Sequence, residues 1–105
     1  MRICKKLYYG ESAKKQNKEL LKNIKRKNWQ FGVYVIALSE NENNLLDVYE
    51  TVWFEQKFYG KKKIEVVGIA FGREEAMNLV KDIIDEVYKR TGGFNVREFF
   101  LKNKE

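Results

Sequence analysis

Val33-Tyr34-Val35-Ile36-Ala37-Leu38 is apolar at every position. A strand sends alternate side chains to opposite faces of its sheet, so Val33, Val35 and Ala37 point one way and Tyr34, Ile36 and Leu38 the other. Water can be tolerated on neither side, and both faces need a cover. Working outward, Gly32 leads into this strand, which by its Val, Tyr and Ile content covers Phe31 to Ser39. Glu40-Asn41-Glu42-Asn43-Asn44 reads as a polar turn, and Leu45 to about Trp53 as a second strand, completing a hairpin. Trp53 to Tyr59 fits either a continued strand or one helical turn. Gly60 and Lys61-Lys62-Lys63 form a turn before a third strand, Ile64 to Phe71.

Two helical patterns flank these strands. Ser12 can cap a helix over about Ala13 to Lys27, with Ala13, Asn17, Leu20, Leu21 and Ile24 on one narrow stripe. Gly72 opens a second helix over about Arg73 to Arg90, whose apolar face is Ala76, Leu79, Val80, Ile83, Ile84 and Val87. Glu74 and Glu75 suit its N-terminus, Lys89 and Arg90 its C-terminus, and Gly92-Gly93 ends it through a left-handed cap. Its outer side is acidic, with Asp82, Asp85 and Glu86 joining Glu74 and Glu75.

The expected fold is α+β, a two-layer sandwich of order α-β-β-β-α. Its sheet is a three-stranded antiparallel meander, four-stranded if Arg2–Tyr9 adds an edge strand, with both helices on one face. One alternating set of Val33–Leu38 must then meet something else. The candidates are the Phe-rich segment Phe94–Leu101, the N-terminal strand, or a second copy of the chain in a homodimer. The length fits one domain over 1–105, with a core at about 12–91 and 92–105 packing back.

A hydrophobic fraction of 44%, with 14% aromatics, supports a core rather than a disordered chain. Cys4, the only cysteine, reads as a reduced thiol, and with no His in the sequence imidazole-based catalysis and zinc sites that use His are excluded, as are Cys-only metal sites. Met1 to Leu7 lacks the apolar stretch of a secretory signal, and the longest apolar run, Val33–Leu38, falls far short of the ~20 residues of a membrane span. A cytoplasmic protein without a membrane partner is expected.

Charge is unevenly placed. Ten of the 21 Lys and Arg residues fall in the first thirty positions, opposed only by Glu11 and Glu19. Lys14, Lys15, Lys18, Lys22, Lys25 and Arg26 share about a third of the first helix's circumference. Lys14 and Lys15 would sit in its first turn, where the helix dipole disfavours cations by about 0.3–1 kcal/mol each. That conflict marks the face as a candidate polyanion site, with Lys61, Lys62 and Lys63 as a second contact and Trp29, Trp53, Phe58 and Tyr59 as aromatics able to stack on bases. The competing reading is a solvated face balancing the acidic second helix beside it.

The remaining motifs carry less chemistry. Gly68-Ile69-Ala70-Phe71-Gly72 has neither the dinucleotide fingerprint nor a P-loop ending, and Glu74 and Glu75 would repel phosphate. Gly68 fits a bulge or close packing point instead, and Gly72 a cap. The acids of the second helix read as solubility charges. Glu50 and Glu65, on neighbouring strands, could reach a metal, but cross-strand pairing with a Lys explains them equally well.

By order of elements, about Ser12–Arg90 resembles the double-stranded RNA-binding domain. That family places lysines at the start of its second helix to contact phosphates across the RNA major groove. Arg73, Glu74, Glu75 and Ala76 stand there instead, so RNA binding is not carried over. The expectation is a small non-enzymatic binding or adaptor protein of the bacterial cytoplasm, with no cofactor and no metal. The alternatives are nucleic acid bound through the first helix or an acidic protein partner.

Overall fold

A computed structural model describes residues 1–39, 44–55 and 64–102. Four strands form one sheet: β1 (Arg2–Tyr9), β2 (Val33–Leu38), β3 (Leu46–Glu50) and β4 (Glu65–Phe71), in the order β1-β4-β2-β3. The helices are α1 (Asn17–Lys25), α2 (Arg73–Thr91) and α3 (Val96–Lys102), with short 3-10 turns at Ala13–Gln16 and Thr51–Glu55.

The α+β class is as expected, but the meander is not. β2 pairs antiparallel with both β3 and β4, so the chain leaving β3 passes β2 before it re-enters the sheet. The N-terminal segment is a strand, and it lies parallel to β4, with Arg2 opposite Glu65 and Tyr9 opposite Ile69. The sheet is therefore mixed. Lysines and an arginine on β1 (Arg2, Lys5, Lys6) suit an outer strand, because charge discourages further pairing.

The second correction concerns the helices, which lie on opposite faces. Val33, Val35 and Ala37 of β2 pack with Ala13, Leu20, Ile24 and Phe54. Ile36 and Leu38, alternating with them, pack with Ala76, Leu79, Ile83, Val87 and the α3 residues Val96, Phe99 and Phe100. Alternate residues of a strand face opposite ways, so α1 covers one side and α2 with α3 the other. The molecule has three layers rather than two. The likeness to the double-stranded RNA-binding domain, drawn from an α-β-β-β-α order, is not carried by this four-stranded mixed sheet.

The physical reason lies in the two central strands. Val66, Val67, Ile69 and Ala70 of β4 are fully buried, as are Val35 and Ile36 of β2. Covering one face alone would leave half of these in water, at about 1.5–3 kcal/mol for each Val or Ile. The face considered for a second copy of the chain is occupied by α1, the turn before it and Phe54. Val96–Lys102 forms helix α3, where Phe100 meets Tyr8 edge-on at 5.7 Å between ring centroids.

Local details follow the backbone chemistry. A bulge separates the Ile36–Gly68 and Ala37–Val66 pairs, which leaves Val67 as the extra residue on β4. Gly68 sits beside it, and a Cβ there would lie 3.0 Å from the Leu79 side chain and 3.4 Å from that of Ile83, so a larger residue would require these α2 side chains to shift by a few tenths of an ångström. Gly72, at φ +79°, turns the chain from β4 into α2.

Candidate functional site

The basic segment is not one helix. Ala13–Gln16 is a 3-10 turn, Gln16 leaves helical geometry at φ −125°, and α1 begins at Asn17. Lys14 and Lys15 therefore precede α1 rather than occupy its first turn, which holds Glu19. Lys22 and Lys25 lie in its last turn, where cations suit the dipole. The dipole conflict expected from the sequence is absent, and Ser12 makes no side-chain cap.

The cationic surface itself survives the break. Winding α1 at about 100° per residue keeps Lys18, Lys22, Lys25 and Arg26 within an arc of about 100°. All four are exposed, as are Lys14 and Lys15. Among the described residues the ion pairs are Arg90–Glu86 and Arg97–Glu65, and none of these six cations takes part in one. α2 lies across the sheet from α1, so its acidic face does not balance Lys18, Lys22, Lys25 and Arg26 from a neighbouring position, although Lys14 shares a cleft with Glu74 and Asp82. Lys61, Lys62, Lys63, Phe58 and Tyr59 lie outside the described residues.

α1 closes with a Schellman motif. The Lys27 N–H donates to Ile24 O at 3.1 Å and the Asn28 N–H to Asn23 O at 2.8 Å, which puts Lys27 at φ +59°. This is the position where α2 carries Gly92, at φ +75°. Lysine there adopts a left-handed backbone that glycine would adopt at lower cost.

A second cluster lies where the parallel strands β1 and β4 end. The carboxylate of Glu75, on the first turn of α2, accepts from the Ser12 N–H at 2.8 Å, from the Ser12 hydroxyl, and from the Phe71 N–H at 2.6 Å. Burial alone would raise its pKa. The hydrogen bonds from Ser12, Phe71 and the Ala13 N–H outweigh that, and the carboxyl is held below the ordinary glutamate value. Gly10 packs against the Glu75 side chain so closely that a Cβ would fall 2.6 Å from its Cγ. A cleft of about 710 Å³ opens alongside, lined among others by Lys14, Arg73, Glu74 and Asp82.

Glu75 thus occupies the helix N-terminus with the protein's own anion. Reading it as a solubility charge missed this clasp. The available signal was its place three residues after Gly72, the position from which a capping-box glutamate reaches back to free N–H groups. Glu50 and Glu65, proposed as neighbours, are separated by β2 and pair at opposite ends of the sheet. Glu50 accepts from the Gly32 N–H at 3.1 Å, and Glu65 lies 3.9 Å from Arg97. Among the described residues no group of three or more Cys, Asp or Glu side chains is placed to hold a metal. No helix among them is long and apolar enough to cross a membrane. Cys4 is buried in the core beneath α2 and α3.

Of the aromatics singled out, Trp29 is half-buried, edge-on to Phe54 at 5.2 Å, and Trp53 is exposed. Phe31, which the sequence reading left as the start of a strand, instead stands in the turn before β2 and is exposed. Compared with family models, curated proteins and solved structures, the chain matches none.

Proposed function

We propose that the chain is a small non-enzymatic binding module of the cytoplasm that engages a polyanion, nucleic acid foremost, through α1 and the turn before it. One observation carries this reading: Lys18, Lys22, Lys25 and Arg26 share one exposed face, none in an ion pair among the described residues, with the acidic helix across the sheet, while Lys14 alone of the six lines a cleft with Glu74 and Asp82. Internal balance between adjacent helices would have been the simpler account of these charges, and that account needs the helices side by side. Lys27 adds a further cation at the end of α1, at a backbone position that glycine would adopt more easily.

Neutralising phosphates releases counterions, and each contact steepens the fall of log K with log salt by about 0.7–0.9. Anisotropy of a labelled single strand and a labelled duplex, titrated at low salt and then at rising salt, tests the proposal. Binding is expected to weaken by about three log units or more per decade of salt if four cations engage. It should be abolished when Lys14, Lys18, Lys22 and Lys25 are each changed to Glu, with circular dichroism confirming the fold. No binding of either probe at low salt by the native protein ends this reading.

A further inference from the structure

The two outer strands finish the sheet in different ways. β1 carries Arg2, Lys5 and Lys6, and its pairing with β4 slips between Ile3 and Tyr8, so its outer edge is both charged and irregular. β3 pairs with β2 over five consecutive residues, Leu46 to Glu50, without a shift, and it holds no Lys, Arg, Pro or Gly. Among the described residues no strand pairs with its other side. A regular strand in this place offers backbone N–H and C=O groups to a further strand.

An apolar shelf lies beside that edge on the α2 side. Val48, Tyr34, Trp53 and Met77, together with Glu50 and Arg73, line a cleft of about 490 Å³ between β3 and α2. Trp53 and Met77 are half-exposed although large and apolar. A lone exposed apolar residue is ordinary, but several beside an open strand edge form a patch. An added strand gains main-chain hydrogen bonds from such an edge and places alternate side chains in the pockets next to it.

We infer that the occupant of this edge is β3 of a second copy of the chain, paired antiparallel across a two-fold axis normal to the sheet. Such an axis keeps every side chain on its own face, so it centres on one residue of β3. Centred on Asp47, it would set two carboxylates directly opposite, which is destabilising. Centred on Val48, it sets Asp47 opposite Tyr49 of the second copy and Glu50 opposite Leu46, so no two acids meet. Carboxylate and phenol are compatible neighbours here, since the Tyr49 hydroxyl already donates to Asp47 within the chain at 3.4 Å. Leu46 and Val48 both face the α2 side. The Val48 register therefore brings Leu46 and Val48 of the second copy to the shelf formed by Val48, Trp53 and Met77, apolar against apolar. Both copies use the same edge, so pairing closes at two. The same axis leaves both α1 helices on one side of the joined sheet, with their cations facing the same way.

Sedimentation equilibrium of the full chain over a range of concentrations tests this. A monomer–dimer equilibrium is expected, with a dissociation constant of about 1–50 μM. Val48→Lys sets two ammonium groups opposite each other on the edge and should weaken it about a hundredfold. Met77→Lys, at a half-exposed helix position that tolerates lysine, should weaken it about tenfold, and circular dichroism checks the fold of both variants. The register is read with a short bismaleimide: Val48→Cys should be linked into a covalent dimer, whereas Lys18→Cys on α1 and the buried native Cys4 should not. A strict monomer at about 1 mM overturns the inference and leaves the edge to an extended segment of another protein. A dimer unaffected by both lysine variants, or linked through Lys18→Cys and not Val48→Cys, also overturns it. Growth beyond two copies does the same, since that would be β3 pairing with β1. The inference stands apart from the polyanion reading, and the failure of either leaves the other in place.

Discussion

α1 and α2 cover opposite faces of one sheet and are built to different rules. α2 runs for 19 residues, opens with Glu74 and Glu75, ends with Lys89 and Arg90, and closes on Gly92. It buries Ala76, Leu79, Ile83 and Val87. α1 runs for nine residues, buries only Leu20 and Ile24, and closes on a left-handed lysine. α2 is a helix whose every local choice serves stability. α1 meets the minimum needed to shut its face and devotes the remainder to cations. The contrast teaches that charge on a small protein is best judged by what it faces: the acids of α2 are partly used within the fold, through Glu75, while the lysines of α1 are exposed and join no ion pair among the described residues.

Core truncation gives the largest effect and the hardest test of that contrast. Ile83→Ala, in the four-residue seam of α2, is expected to lower unfolding free energy by about 3–5 kcal/mol, and Ile24→Ala by about 2–3 kcal/mol, read by denaturant titration. Equal losses would mean that α1 is as deeply committed to the core as α2.

The Glu75 clasp comes next. Glu75→Ala should cost about 2 kcal/mol at neutral pH, since a carboxylate accepting several N–H and O–H groups is removed. The pH dependence has a definite sign. A carboxyl held below its ordinary value of 4.5 contributes fully above that pH and loses its contribution as pH falls through the folded-state value. The gap between native protein and Glu75→Ala should therefore narrow below about pH 4.5, as measured by denaturant midpoints. A gap independent of pH would assign the loss to packing against Gly10 rather than to charge.

Lys27→Gly is the smallest and runs the other way. Relieving a left-handed lysine should raise stability by about 1 kcal/mol in a thermal melt. It should also weaken polyanion binding slightly, by the removal of one cation. A destabilised variant would show that the Lys27 side chain, rather than its charge alone, supports the end of α1.

Legibility followed locality. α2 was readable to within a residue because its caps, apolar seam and terminal charges all sit within the helix. Strands β2, β3 and β4 were readable from composition for the same reason, although β3 gives way to a 3-10 turn after Glu50. What failed was non-local: β1 lying parallel to β4, β3 lying outside β2, and the two helices on opposite faces depend on which surfaces meet across the chain. The two-sided apolar character of Val33–Leu38 was the correct clue, and only the assumption that one face would take both helices diverted it. The break at Gln16 was invisible because Ala13, Leu20 and Ile24 still fall on one helical stripe. At the candidate site, the cations were identified by position, but Phe31 was absorbed into a strand, and the exposure that makes it informative is a property of the folded turn.

The parallel pairing of β1 with β4 also sets an order of events. Hairpin β2–β3 can form from neighbouring sequence, whereas β1 has no sheet partner until Glu65–Phe71 is in place. Contacts between such distant segments close slowly, because a long loop must lose its freedom before they reward it. The chain contains no proline, so prolyl isomerisation contributes no slow phase of its own. A slow step in refolding would then report the docking of the first strand, and the clock of this protein's assembly is set at its N-terminal edge.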